Sequence, residues 1–121
     1  LQPASYVTIN GLSALHQTNG AEPSVQGGSV PLNTWSHVAM TFDSATGKYT
    51  AYVNGVSVAS ATAVGIIYTS TRNVQIGRED SYIGRIFDGQ LDEVSIYNRA
   101  LTAAELLSIA NAGANGKCKA H

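Results

Sequence analysis

Between Trp35 and Val58 apolar and polar residues alternate with a period of two, and this pattern constrains the fold more than any other feature. In Trp35-Ser-His-Val-Ala-Met-Thr-Phe42, Val38, Met40 and Phe42 fall on one face, and Trp35, His37 and Ala39 fall on the other. A period of two is the signature of a β-strand. The cluster Asp43-Ser-Ala-Thr-Gly-Lys48 reads as a turn, and a second strand follows from Lys48 to Val53. Asn54-Gly55 then separates Tyr52-Val53 from Val56-Ser57-Val58. Both turn residues tolerate positive φ, which makes this pair the strongest short hairpin signal. Three consecutive antiparallel strands are therefore predicted as a meander.

The C-terminal third is nearly as legible. Val74 to Ala110 reads as a strand, an acidic polar loop, a long second strand and a short helix. Strand candidates are Ile66 to Tyr68, Asn73 to Gly77 and Phe87 to Tyr97, the last with a kink or bulge at Asp88-Gly89. Thr102-Ala-Ala-Glu105 has the form of a capping box, in which the Thr hydroxyl and the Glu carboxylate each satisfy a free backbone N–H. Leu106, Leu107 and Ile109 give that helix its apolar face, and Gly113 marks its end. So short a helix must pack on the sheets to persist. Residues 1–31 are rich in Ser, Gly, Asn and Gln and carry one alternating run, Tyr6 to Ile9; Gly11, Gly20, Gly27 and Gly28 read as turns.

A chain of 121 residues forms a single domain, here 1–121 with residues 113–121 as a tail. Charged residues make up 12% of it, about half the usual share. That composition suits a β-rich module in an extracellular or cell-surface setting. The net charge of −1 and the scattered cations offer no field for nucleic acid or anionic lipid. No apolar run reaches the roughly 20 residues that span a bilayer, so no membrane insertion is expected. Cys118 is the single cysteine and forms no internal disulfide. It reads as a tail thiol, or as one half of a bridge to a segment outside the chain.

The run Leu32-Asn-Thr-Trp35-Ser-His37-Val-Ala-Met-Thr-Phe-Asp43, followed by Tyr52-Val-Asn-Gly55, resembles the middle of a laminin-G-like jelly roll of the concanavalin A-like lectin/glucanase superfamily. Ile76-Gly77, with Phe87-Asp-Gly-Gln-Leu-Asp-Glu-Val-Ser-Ile-Tyr-Asn-Arg-Ala-Leu-Thr-Ala-Ala-Glu105, resembles its C-terminal strand and helix. The resemblance implies an all-β antiparallel jelly-roll sandwich closed by a short C-terminal helix. The segment before Trp35 has room for only two or three of the N-terminal strands, so the sandwich is expected to be truncated. Half a sandwich leaves apolar surface and open strand edges in water. Its expected partner is a second copy in a homodimer or the missing N-terminal half of a parent protein; the alternative is a compact variant with fewer strands.

Glu79, Asp80 and Asp88 are the candidate metal ligands. Calcium takes six to eight oxygen ligands, and loop carboxylates supply them. The stretch from Ile76 to Gly89 also resembles the calcium loop of the pentraxins, and by position Glu79, Asp80 and Asp88 match its acidic residues. Arg78, Tyr82 and Arg85 are the candidate ligand contacts, Tyr82 by stacking on a sugar. The plain alternative is a solvated acidic loop with Arg78 and Arg85 as local counter-charges. Asp92 and Glu93 are neighbours in the expected strand, point to opposite faces, and read as structural: one caps a turn or pairs with Arg99. Trp35 reads as a packing residue at the start of a core strand, with stacking on a sugar ring as the alternative, and His37 as a core or edge histidine.

Catalysis is not expected. Retaining glycoside hydrolysis needs two carboxyl groups about 5 Å apart, which strand positions i and i+2 would supply. The chain has no such pair, and it carries no nucleophile elbow, His-Glu-x-x-His motif or phosphate loop. The resemblance implies a non-catalytic carbohydrate-binding, lectin-like module for a glycan or polysaccharide, with calcium as its cofactor. The other reading is a protein–protein interaction or self-assembly module that pairs through the incomplete sandwich.

Overall fold

The structure is a computed structural model that describes residues 7–8, 11–15, 24–62, 71, 73–78 and 86–115. Among the described residues six strands and one α-helix follow in order: β1 (Val7–Thr8), β2 (Gly11–Leu15), β3 (Ser24–Gly27), β4 (Val38–Asp43), β5 (Lys48–Val53), β6 (Val56–Thr62) and α1 (Ala103–Ala112). A single 3-10 turn, Gly113–Asn115, ends the described chain. The strands form two antiparallel three-stranded sheets, β1-β2-β3 and β4-β5-β6.

The second sheet is the meander that the alternation predicts. Val38 lies opposite Val53, Met40 opposite Ala51 and Phe42 opposite Tyr49. Asn54 (φ 51°) and Gly55 (φ 78°) both hold the positive φ that a type I′ turn requires. One face of β5, formed by Tyr49, Ala51 and Val53, is buried with Val25 of β3; Phe42, Val58, Ala59 and Ala61 pack around them. Its other face carries Tyr52, which is buried with Leu101 and Leu106 beneath α1. The central strand is thus covered by the first sheet on one side and the helix on the other. Alternation along one strand feeds both cores.

The first sheet lies over β5 and β6. A register shift between Ala51 and Tyr52 marks a bulge in β6 at Val58. The bulge brings Val58 against the first sheet, where Gly27 and Gly28 leave room for it. A Cβ on Gly27 would collide with the Val58 carbonyl oxygen, and one on Gly28 would lie 2.8 Å from Val58 Cγ1. Gly27 therefore ends a strand because a backbone passes close to it. It is not the turn that its sequence context predicts.

Helix α1 begins as expected. Thr102 Oγ1 accepts from the Glu105 N–H at 3.2 Å, and Glu105 Oε2 accepts from the Thr102 N–H at 2.8 Å. Gly113 caps its end. Leu106, 4% exposed, anchors it, and burying such a side chain contributes roughly 1.5–3 kcal/mol.

Two expected strands are absent. Residues 73–77 and 87–97 form no strand; an isolated antiparallel bridge joins Arg78 to Ile86. The longer run is interrupted at Glu93, whose φ of 54° turns the chain out of an extended path, with Asp92 Oδ1 accepting from the Glu93 N–H at 2.8 Å. A strand needs a neighbour to complete its ladder, and no described strand lies beside 87–97. Its apolar residues face solvent, Ile96 at 80% exposure. The candidate strand Ile66 to Tyr68 and Cys118 lie outside the described residues.

Candidate functional site

The loop that leads into β4 is held by hydrogen bonds to the β5–β6 hairpin. Asn54, at the tip of the β5–β6 hairpin, donates from its backbone N–H to the His37 carbonyl at 2.7 Å. Its side-chain Oδ1 accepts from the His37 N–H at 2.9 Å. The hairpin tip thus clamps residue 37 from both backbone directions. Upstream, Asn33 takes a φ of 55°, and Thr34 Oγ1 donates to the Leu32 carbonyl at 3.2 Å. These contacts fix a tight turn that carries Trp35.

Trp35 is 67% exposed, which corrects the expectation that it packs. On β4, Val38 (43%) and Met40 (45%) are also exposed, whereas Phe42 packs against the core that includes Val25. His37 is half-buried, with Nδ1 shielded from solvent. An exposed indole beside the exposed Asn33 and Thr34 combines a flat apolar face with an amide and a hydroxyl group, while the Ser36 hydroxyl is shielded from solvent. Sequence reasoning favours packing over sugar stacking here because the alternation continues through Trp35, whereas strand pairing begins only at Val38.

The second region is the acidic loop. The chain leaves at Arg78 and returns at Ile86, which pair antiparallel, and the Phe87 N–H donates to the Gly77 carbonyl at 2.8 Å. Arg78 and Asp88 are thereby held at the base of the loop, both exposed. Glu79, Asp80, Tyr82 and Arg85 lie outside the described residues. Among the described residues no group of three or more His, Cys, Asp or Glu side chains could hold a metal ion. Asp88 alone is too few donors for calcium.

Asp92 and Glu93 are both exposed. Asp92 caps a turn, one of the two structural roles expected of this pair. Arg99 pairs instead with Glu105, through two bonds of 2.7 and 2.9 Å. The guanidinium, with the Thr102 N–H, pulls the Glu105 carboxyl down to about 2. Burial pushes the Tyr49 phenol above its usual value.

A family model described as the concanavalin A-like lectin/glucanases superfamily matches residues 6–107. The chain belongs to this superfamily. Among the described residues its laminin-G-like domain takes the form of two strand layers and a short helix. No curated protein matches the chain. Among solved structures, this laminin-G-like domain is similar to residues 221–444 of an S-layer domain-containing protein from Clostridium thermocellum, at 26% identity and a TM-score of 0.60. The match covers 83% of this chain and 51% of that one. The domain therefore spans about half the length of that structure. The superfamily's name covers both lectins and glucanases, so membership alone leaves the activity open. No helix among the described residues is long and apolar enough to cross a membrane.

Proposed function

We propose that this domain is a non-catalytic carbohydrate-binding module displayed outside the cell or on its surface. One observation carries the reading: Trp35 is exposed on a loop that the Asn54–His37 bonds hold in place. The aliphatic face of a sugar ring stacks on such an indole, and neighbouring amides and hydroxyls bind the ring's hydroxyl groups. A platform fixed before binding loses little entropy when the ligand arrives. The similarity to an S-layer domain-containing protein supports the surface setting. The absence of any i, i+2 carboxylate pair in the sequence supports binding without hydrolysis. Calcium held by Glu79, Asp80 and Asp88, with Arg78, Tyr82 and Arg85 at the same loop, is proposed as a second contact region for the glycan.

A glycan-array screen in millimolar calcium, repeated in chelator, tests this directly. Glycan binding that disappears in Trp35→Ala is the expected result. A chain that binds nothing on the array overturns the module's function. Binding that persists in Trp35→Ala overturns the role of the indole. Loss of binding in chelator places calcium in the mechanism, and unchanged binding removes it.

A second reading, an assembly module, is favoured by a separate observation, the exposure of the apolar Val38 and Met40 on β4.

A further inference from the structure

We propose that Asn54 is a positioning residue for the Trp35 surface: its side-chain oxygen extends the β4 ladder beyond the last strand pair and so sets the loop that carries the indole. Asn54 thereby governs affinity without touching the ligand. That consequence rests on the reading of Trp35 as a glycan platform, whereas the ordering of the loop does not.

The turn itself does not call for asparagine. A type I′ hairpin needs positive φ at both central residues, and glycine or aspartate serves it as well. Asn54 has the required φ of 51°, and its side chain adds a contact that the turn does not need. Pairing of β4 with β5 ends at Val38 opposite Val53, and the chain turns away at Asn54. His37 lies one residue beyond the ladder. Its C=O accepts from the Asn54 backbone N–H at 2.7 Å, and its N–H donates to Asn54 Oδ1 at 2.9 Å. The carboxamide oxygen stands in for the carbonyl that a longer β5 would offer.

Two bonds do here what one cannot. The N–H of residue 37 belongs to the peptide plane it shares with Ser36, and its C=O to the plane it shares with Val38. Each plane is rigid, so orienting both fixes φ and ψ at position 37. The first of these planes sets the direction in which the chain runs back to Trp35. Removing Oδ1 frees that plane and leaves the second bond in place.

The hairpin tip that presents Asn54 is itself backed by α1. Gly55 is buried, and a Cβ there would lie 2.6 Å from the Leu107 Cα. Under the same helix Tyr52 is buried with Leu101 and Leu106, and Ala39 of β4 packs against that cluster. Ala39 is two residues past His37. The clamp and the root of the loop therefore share one packed base.

Only the competent fraction of loop conformers accepts a ligand, so apparent affinity follows that fraction. Losing one hydrogen bond of ordinary net strength shifts such an equilibrium by roughly fivefold.

Time-resolved fluorescence anisotropy of Trp35, the chain's single tryptophan, tests the assignment in the free protein. Asn54→Gly removes the oxygen and suits the positive φ. Asn54→Asp keeps an acceptor oxygen in the same place. In Asn54→Gly the nanosecond component of the indole's depolarisation should grow, and affinity for a glycan that binds the parent chain should fall by up to about fivefold. Asn54→Asp should keep the parent's anisotropy decay. Far-ultraviolet circular dichroism confirms that each variant is folded. An unchanged decay in folded Asn54→Gly overturns the proposal, and so does an indole as mobile in Asn54→Asp as in Asn54→Gly. If the parent chain binds no glycan, the reading of Trp35 fails, while the anisotropy comparison still decides the role of Asn54.

Discussion

Gly55 and Leu107 meet with no space between them: a Cβ on Gly55 would lie 2.6 Å from the Leu107 Cα. The hairpin tip that clamps His37 is therefore also the surface on which α1 sits. Gly55 has a φ of 78° as well, so a side chain there is strained before it meets the helix. Gly55→Ala should destabilise the fold by about 2 kcal/mol or more, read as a lowered urea midpoint. Because the collision is with a backbone atom, adding Leu107→Ala should not restore the loss. Recovery in the double variant would show that the side chains, and not the backbones, set the approach.

Gly28 offers the opposite case. A Cβ there would meet the side chain of Val58, at 2.8 Å from Cγ1. Gly28→Ala should destabilise, and adding Val58→Ala should return part of the loss, leaving about 1–2 kcal/mol of strain from the positive φ. Gly27→Ala meets the Val58 carbonyl, so Val58→Ala should do nothing for it. Urea midpoints of these five proteins with the parent chain separate the two mechanisms. Equal rescue at both glycines would contradict the close backbone approach.

Acid should loosen α1 first. The Glu105 carboxyl falls from 4.5 to about 2 in the folded chain, chiefly through Arg99 and then through the Thr102 N–H. A depressed folded value means that the folded state holds fewer protons than the unfolded chain. Its contribution is full above pH 4.5 and is lost as pH falls towards 2. The pair is solvent-exposed, so salt should shrink the effect. Stability measured against pH should decline through this window in the parent chain and more shallowly in Glu105→Gln. Parallel curves would refute the linkage. Thr102→Ala, which removes the reciprocal cap, should cost about 1 kcal/mol at neutral pH.

The elements that the sequence reveals are those fixed by neighbouring residues. The meander from Val38 to Thr62 follows from alternation, Asn54-Gly55 and the turn at Asp43, and the start of α1 follows from Thr102 and Glu105. The strands β2 and β3 are illegible for the converse reason. They pair in a Gly-rich stretch, and Gly27 is required by Val58, thirty-one positions on. Residues 87–97 alternate well enough to be read as a strand, yet a ladder is a property of two segments. Trp35 fails in the same way, since strand pairing begins only at Val38. Of the acidic-loop candidates, Arg78 and Asp88 are brought to one base by the Arg78–Ile86 bridge. No periodicity in that loop foretells the pairing.

Trp35 is the chain's single tryptophan, so its fluorescence reports one environment. At 67% exposure its emission should lie close to that of free indole and be quenched readily by acrylamide. Titration with a glycan that stacks on the ring should shift the emission to shorter wavelength and protect it from the quencher. Trp35→Ala should leave the urea midpoint within about 0.5 kcal/mol of the parent, as exposed substitutions do, while abolishing binding. A blue-shifted, protected indole in the free protein would mean that Trp35 is already covered. Binding would then have to use other residues, with Arg78 and Asp88 at the acidic loop the next to test.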